Sequence, residues 1–379
     1  MSNRVGVIGG GQLARMMTVP AINLGLELKV LAESDNSSAS VATTTVGDYN
    51  DLQTVLDFAR GVDVITFDHE HVPLHILEAL EASGISVQPP SKALAHAQNK
   101  IVMRKALEAI GAPNPIWKAV KSANELESFI AEFGPEIIVK TPLGGYDGKG
   151  VRVIKSSAEV SDWLAKETLE LLGGELLAEE KVAFTRELAQ LSARNPSGEF
   201  RSWPVVETRQ KNGVCSEVLA PAPNLSLDLV SSSREIAELI STSLEVTGNL
   251  AVEMFETRDG RLLVNELAMR PHNSGHFSIE GSTTSQFEQH LRAVLDLPLG
   301  ETAMSSVAVM VNLLGVSEDK DFVENYPELM KDFPEAKVHS YDKAPRIGRK
   351  LGHITVVGEN LDAALATANQ ARAVVLGVQ

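Results

Sequence analysis

From residue 1 to about 95, short apolar runs alternate with amphipathic stretches. Val5–Ile8, Leu28–Leu31 and Val62–Phe67 read as strands. Gln12–Leu24 and Asp51–Arg60 read as helices, with Leu13, Met16, Met17 and Ile22 on one face of the first and Leu52, Val55, Leu56 and Ala59 on one face of the second. Consecutive β-α-β units of this size imply a doubly wound parallel sheet. Gln88-Pro89-Pro90-Ser91 then punctuates the chain. Ser91 is placed to cap a long helix reaching about Ile110, where Gly111-Ala112-Pro113 stops it.

The pattern changes beyond about residue 115. Glu136–Lys140 and Val151–Ile154 read as strands flanking a glycine-rich loop, and Glu159–Leu172 as an amphipathic helix. Leu176–Glu180, Glu187–Ser192, Phe200–Val206 and Val214–Leu219 follow as strands whose short links favour antiparallel pairing. Leu250–Phe255 and the apolar run ending at Val264-Asn265-Glu266 are joined by Thr257–Arg261, whose Asp259-Gly260 is a strong hairpin signal. Pairing the two sets Glu253 beside Glu266. A helix at about Thr284–Leu295 closes this α+β region, and Asp296–Gly300 marks a boundary. Strands at Val307–Leu314, Lys337–Tyr341 and His353–Val357 and a helix at Leu361–Leu376 form a small β-rich unit. The expected division is 1–95, then 96–300 with a lid subdomain at about 115–180, then 301–379.

Composition narrows the setting. The 379 residues are 44% apolar and 22% charged, so substantial cores can form. No apolar run reaches the ~18 residues of a membrane span, and Arg4–Gly11 opens as a strand rather than as a signal peptide. Cys215 is the only cysteine, which rules out an intrachain disulfide and a cysteine-based zinc site. A cytoplasmic protein is expected. The net charge of −16 argues against nucleic acid or an anionic membrane as main partner, and it makes local cation clusters informative.

Several segments could carry chemistry. Gly9-Gly10-Gly11-Gln12-Leu13-Ala14 holds G-x-G-x-x-A between a strand and a helix, with Glu33 ending the next strand. This is the dinucleotide pattern in context, and it equally fits the same fold used for another ligand or as scaffold. Lys140–Gly150 sets two lysines and four glycines between strands. Such a backbone folds over phosphates while lysine neutralises them, the bland alternative being a solvated hairpin. Walker A spacing fails, because Gly150 follows Lys149. Glu179-Glu180-Lys181-Val182 and Glu187 lie at a strand end and the next strand's start, where they suit an adenine and a ribose or are simply solvated. Glu253, Glu266 and Asn265 offer the all-oxygen donors that Mg²⁺ takes. Arg270-Pro271-His272-Asn273-Ser274-Gly275-His276 follows directly. Lys343, Arg346, Arg349 and Lys350 crowd one loop of an acidic chain and suit a phosphate monoester. In Asp68-His69-Glu70-His71, strand alternation puts the carboxylates opposite the histidines, so a single chelate is not expected. Carboxylates at the C-terminal edge of a parallel sheet more often face ligand. No Gly-x-Ser-x-Gly occurs and Cys215 has no nearby histidine, so no covalent nucleophile is expected.

The Lys140–Gly150 loop, Glu253 with Asn265-Glu266, and the Arg270–His276 run resemble the ATP-grasp superfamily. Together with Gly9–Leu13, Glu70-His71-Val72-Pro73 and Arg346–His353 they resemble, over the whole chain, the N5-carboxyaminoimidazole ribonucleotide synthetase family of purine biosynthesis. The resemblance implies an ATP-grasp fold with an N-terminal Rossmann-like domain and a small β-rich C-terminal domain. It implies ATP and Mg²⁺ as cofactors, 5-aminoimidazole ribonucleotide and bicarbonate as substrates, carboxylation of the exocyclic amine through carboxyphosphate, and a homodimer. Carried over position by position, it implies that Lys100 and Lys140 contact the ATP phosphates. Gly145, Tyr146, Asp147, Gly148, Lys149, Gly150 and Val151 then form the lid, with Tyr146 and Asp147 near the aminoimidazole. Glu179, Glu180, Lys181 and Val182 hold the adenine and Glu187 the ribose, with Gln210 near the nucleotide. Glu253 and Glu266 ligate Mg²⁺ beside Asn265. Arg270, His272, Asn273 and Ser274 serve the bicarbonate and the amine. Gly11, Gln12, Leu13, Glu70, Lys343, Arg346, Arg349 and Lys350 bind the ribonucleotide, so the first glycine loop faces substrate.

Some positions depart from that pattern. Pro142 and Leu143 stand where the family often has Arg, Gln210 where it has His, Met269 where it has Pro and Asp68 where it has Glu. A formate-dependent glycinamide ribonucleotide transformylase shares the lid and the metal carboxylates. An NAD-dependent oxidoreductase leaves the lid, Glu253 and Glu266 unexplained. A non-catalytic nucleotide sensor predicts ATP binding without turnover.

Overall fold

A computed structural model describes residues 3–144, 150–211, 213–319 and 321–378. Strands β1 (Arg4–Ile8), β2 (Glu27–Ala32), β3 (Thr43–Val46) and β4 (Val64–Phe67) form a parallel sheet in the order β3-β2-β1-β4. Ile8, Ile65 and Phe67 pack with Val55, Ile76 and Leu77 of the helices Leu52–Ala59 and Leu74–Ala82. On the opposite face Val5, Val7 and Val64 pack with Leu13 and Met17 of Gln12–Leu24 and with Phe287 and Leu291 of Gln286–Val294. Cover on both faces explains why β1 and β4 read as largely apolar runs rather than alternating ones.

Strands β5 (Trp117–Val120), β6 (Ile137–Lys140), β7 (Val151–Ile154) and β8 (Leu176–Glu180) form an antiparallel sheet ordered β5-β8-β6-β7. The remaining strands are β9 (Phe184–Arg194), β10 (Phe200–Ser202), β11 (Val206–Lys211), β12 (Val214–Ala220), β13 (Gly248–Thr257), β14 (Leu262–Ala268), β15 (Val307–Leu314), β16 (Lys337–Ser340) and β17 (Lys350–Gly358). They make a nine-stranded sheet with the path β14-β13-β9-β11-β12-β15-β17-β16, and β10 pairs with β9. Glu217 opposite Val311 joins β12 to β15. The sheet therefore runs on past Asp296–Gly300, and the last strands extend it instead of forming a sheet of their own.

Two helical expectations differ from the structure, and the structure adds a long helix that the sequence pattern did not announce. The single helix expected from Ser91 is two, Ser91–Gln98 and Lys100–Ala109. Asn99, at φ −130° and ψ 114°, breaks it and caps the second helix by accepting from Ile101 N and Val102 N. Its backbone bridges Leu143, a tertiary contact that no local period records. Ser91 is a helical residue, its hydroxyl 2.6 Å from Glu81 Oε2. Glu159–Leu172 is likewise divided, into Ser161–Leu164 and Lys166–Leu171. Leu227–Ser243 is a helix with little apolar period, since it buries Ser233, Ala237, Ile240 and Ser241. No helix of the described residues is long and apolar enough to cross a membrane.

The two antiparallel sheets are tied by Arg104, which is wholly buried. Its Nε lies 2.5 Å from Glu179 Oε1 on β8. Nη1 donates to Asn114 Oδ1 at 3.1 Å and Val264 O at 2.7 Å, and Nη2 to Asn265 O at 2.8 Å on β14. Arg104→Met removes one partner of a buried ion pair and strands two carbonyls. It is expected to lower stability by about 3 kcal/mol, read by chemical denaturation, and a loss near zero would deny the tie its structural weight.

His290 joins the first sheet to the third. Its Nδ1 accepts from Asn249 N at 3.0 Å, so the ring proton sits on Nε2, 2.7 Å from Thr66 Oγ1. Burial keeps the ring neutral down to about 3. An unfolded histidine titrates near ~6.5. Below that pH the unfolded chain takes up a proton that the folded chain refuses, so stability falls as pH drops from ~6.5 towards 3. The slope is at most about 1.4 kcal/mol per pH unit for this group. Denaturation midpoints compared at neutral and mildly acid pH are expected to show a shallower acid loss in His290→Gln.

Candidate active site

The β8–β9 connection, Lys181-Val182-Ala183, carries the chain from the second sheet to the third, and the polar cluster lies where the two meet. Lys140 ends β6 with Nζ 2.7 Å from Glu179 Oε2 and 3.1 Å from Asn265 Oδ1. Burial alone would push the Glu179 carboxyl up, but Lys140 and Arg104 hold it at about 2. Its side chain is thus committed to two cations, and its backbone sits between β5 and β6. Glu179 braces Lys140 in this arrangement, whereas the sequence placed it with the adenine group. Glu180 Oε1 accepts from Ile116 N at 2.8 Å, Lys181 pairs with Glu136, and Val182 is half-buried. Lys100 opens its helix with Nζ 2.9 Å from Gly144 O, and burial lowers its pKa. Gly145, Tyr146, Asp147, Gly148 and Lys149 lie outside the described residues. Gly150, at φ 72°, accepts from Thr141 N, and Val151 begins β7.

Glu253 stands directly opposite Glu266 on β13 and β14, as the hairpin reading requires. Glu266 is exposed and Glu253 half-buried. Burial, then Glu266 and Glu187, push the Glu253 carboxyl up to about 8. Two facing carboxylates in that condition form a donor set that a hard divalent cation would relieve. The Asn265 amide oxygen, beside that pair, accepts from Lys140. Glu187, on neighbouring β9, is raised by burial and hydrogen-bonded by Gln210.

The run after β14 approaches the same carboxylates. Arg270 Nε lies 2.6 Å from Glu70 Oε2, and Glu70 Oε1 accepts from Met269 N at 3.2 Å. His272 Nδ1 accepts from Ser274 N at 3.4 Å and lies 2.8 Å from Ser274 Oγ, which leaves the ring proton on Nε2, 3.3 Å from Glu253 Oε1. Burial, with Arg270 and Lys350 nearby, holds this ring neutral down to about 3. Asn273 and Asn312 exchange side-chain amide bonds of 3.0 and 2.7 Å.

The first glycine loop is occupied by its own chain. Asp68 Oδ1 accepts from Ala14 N at 2.8 Å at the start of Gln12–Leu24, and Glu33 Oε2 accepts from Gly10 N at 3.3 Å. A Cβ on Gly11 would lie 2.0 Å from Asp68 Oδ2, so this approach needs glycine. Glu33 is held at about 2 by its bond to His69. The acid that a dinucleotide ribose would need is thus engaged, which removes the main support for an NAD site. Leu13 packs in the core, so its side chain does not face the cleft. Gln12 accepts from Lys343, 331 positions away.

Of the four cations expected to converge, Lys343 reaches Gln12, and the charge of Lys350 is felt by Glu253 and His272. Arg346 is exposed, and Arg349 Nη1 bonds Ala344 O of its own loop. Sequence reasoning missed Arg104, Asn312 and Gln286, a buried residue that bonds the His272 backbone. Each looks like an ordinary polar residue of its helix or strand, and its partners are distant in sequence.

Three family profiles match the chain. They are the ribonucleotide synthetase preATP-grasp domain over residues 1–98, the ATP-grasp domain over 105–287, and the phosphoribosylaminoimidazole carboxylase C-terminal domain over 308–367. The N5-carboxyaminoimidazole ribonucleotide synthase of Mycobacterium tuberculosis (strain ATCC 25618 / H37Rv) is 48% identical over 362 residues, covering 94% of this chain and 84% of that protein. The crystal structure of N5-carboxyaminoimidazole ribonucleotide synthetase from Thermotoga maritima superposes with a TM-score of 0.86 at 37% identity, over 99% of this chain and 98% of that one. The Aspergillus clavatus N5-carboxyaminoimidazole synthase, in complex with ADP and 5-aminoimidazole ribonucleotide, gives a TM-score of 0.89 at 32% identity, over 100% and 99%. The fold and the relatives agree: the chain belongs to the N5-carboxyaminoimidazole ribonucleotide synthase family of ATP-grasp proteins.

Proposed function

We propose that this chain carboxylates the exocyclic amine of 5-aminoimidazole ribonucleotide with bicarbonate, converting ATP to ADP and phosphate by way of carboxyphosphate. The observation that carries the reading is convergence. Lys140 with its brace, the Glu253–Glu266 pair and the Arg270–Ser274 run meet around β13 and β14, and Lys350 is electrostatically coupled to them. Family membership and the ligands of the fungal relative support it.

The chemistry begins with two anions that repel. Bicarbonate must approach the γ-phosphate of ATP, and Lys100, Lys140 and Arg270 supply fixed positive charge for that encounter. Glu253 and Glu266 are the residues that would hold Mg²⁺. When bound, that ion offsets the phosphate charge and polarises the transferred group. Glu187 and Gln210 lie on β9 and β11 beside this pair and are assigned to the ribose side of ATP; Glu180, Lys181 and Val182 are assigned to the adenine. Arg270 is aimed by Glu70. His272, neutral at working pH, presents an N–H beside Glu253 and is assigned with Asn273 and Ser274 to the carboxyl group in transit. Carboxyphosphate is lost to water unless shielded, and the stretch from Gly145 to Val151 is assigned as the lid, with Tyr146 and Asp147 over the aminoimidazole. Gly11, Gln12, Lys343, Arg349 and Lys350 are assigned to the ribonucleotide. A homodimer, a cytoplasmic setting and the division into 1–95, 96–300 and 301–379 belong to the same proposal.

A substrate-swap assay tests the reaction. Phosphate release from ATP is expected only with both 5-aminoimidazole ribonucleotide and bicarbonate, and equal release with formate and glycinamide ribonucleotide would overturn it. Glu266→Gln removes one of the two facing carboxylates. Its turnover is expected to fall by at least ~100-fold with thermal unfolding unchanged, and near-normal turnover would remove Glu266 from the metal site.

A further inference from the structure

Gln286 opens the helix Gln286–Val294 and is fully buried. Its Oε1 accepts from His272 N at 2.8 Å, and its Nε2 donates to His272 O at 2.8 Å. One side-chain amide thus holds both backbone groups of His272, as a neighbouring strand would. Only one orientation of the amide serves, because the flipped form would set N–H against N–H and oxygen against oxygen. His276, also fully buried, selects that orientation: its Nδ1 lies 2.9 Å from Gln286 Nε2. Burial keeps the His276 ring well below its usual range, and hence neutral and able to accept.

The anchor itself is fixed. Gln286 N donates to Ser278 Oγ at 2.9 Å, and Gln286 O accepts from Asn249 Nδ2 at 2.9 Å. The fit is close, since a Cβ on Gly275 would lie 2.3 Å from Gln286 Oε1. We propose that Gln286 is a positioning residue for carboxyl transfer: it sets the His272–Ser274 segment against Glu253, and His276 fixes the sense of its amide. The proposal rests on the function given above. A segment set slightly wrong would still allow ATP and bicarbonate to react, but the carboxyl group would reach the amine less often.

The test is the ratio of phosphate released to carboxylated ribonucleotide formed, measured in Gln286→Met, Gln286→Glu and His276→Phe. A partly inactive preparation lowers the rate without moving this ratio, so the ratio separates positioning from loss of folded protein. Gln286→Met loses both bonds to His272. It is expected to lower carboxylation about 100-fold and to raise the ratio above wild type, with the KM for ATP little changed. Gln286→Glu keeps the volume and the acceptor but loses the donor, and His276→Phe leaves both bonds to His272. Both are expected to raise the ratio less than Gln286→Met. A ratio at the wild-type value in every variant that folds overturns the proposal. Absence of ribonucleotide-dependent phosphate release in the unaltered chain would instead overturn the function on which it rests.

Discussion

A single buried carboxylate, Glu179, sets how the two antiparallel sheets meet. It lies between Arg104 Nε at 2.5 Å and Lys140 Nζ at 2.7 Å. Left alone at that depth it would be driven neutral, and with two cations it stays ionised. Arg104 then turns its other nitrogens to the carbonyls of Val264 and Asn265, while Lys140 takes the Asn265 amide oxygen. The lysine proposed for phosphate and the strand bearing Glu266 are therefore positioned by the same ion cluster, and neither can shift without the other.

How much of this is legible in sequence depends on where the interaction closes. The Glu253–Glu266 pair is legible because a hairpin is local and Asp259-Gly260 announces its turn. The parallel sheet is legible because cover on both faces leaves apolar runs. Arg104 is not: within Lys100–Ala109 it looks like one more solvated cation, and its partner lies 75 positions away. The break at Asn99 is hidden for the same reason, since the amphipathic period continues through it while Asn99 bridges the distant Leu143. Leu227–Ser243 escapes because much of its buried stripe is serine and alanine. The basic loop shows a third limit, for composition counts four cations there but gives no direction for Arg346 or Arg349.

Cations gather at the site of an otherwise acidic molecule. The chain carries a net charge of −16, yet Arg270 and Lys350 help hold His272 neutral, and His276 and His353 are pushed the same way, first by burial. These rings act as neutral hydrogen-bonding groups rather than as further cations.

The contact between Gln12 and Lys343 has a consequence for the timing of biosynthesis. Chains emerge from the ribosome N-terminus first, and early units fold while later ones are still being made. Gln12 and the first sheet are complete long before Lys343 and Lys350 exist. Strand β15 pairs with β12 and β17 with β15, so the strands that hold that basic loop are synthesised after the strand they extend. A nascent chain would therefore present the lysines proposed for ATP well before it could grip a ribonucleotide. The lysines proposed for the ribonucleotide are thus made after those proposed for ATP, so coupled turnover has to wait for the basic loop.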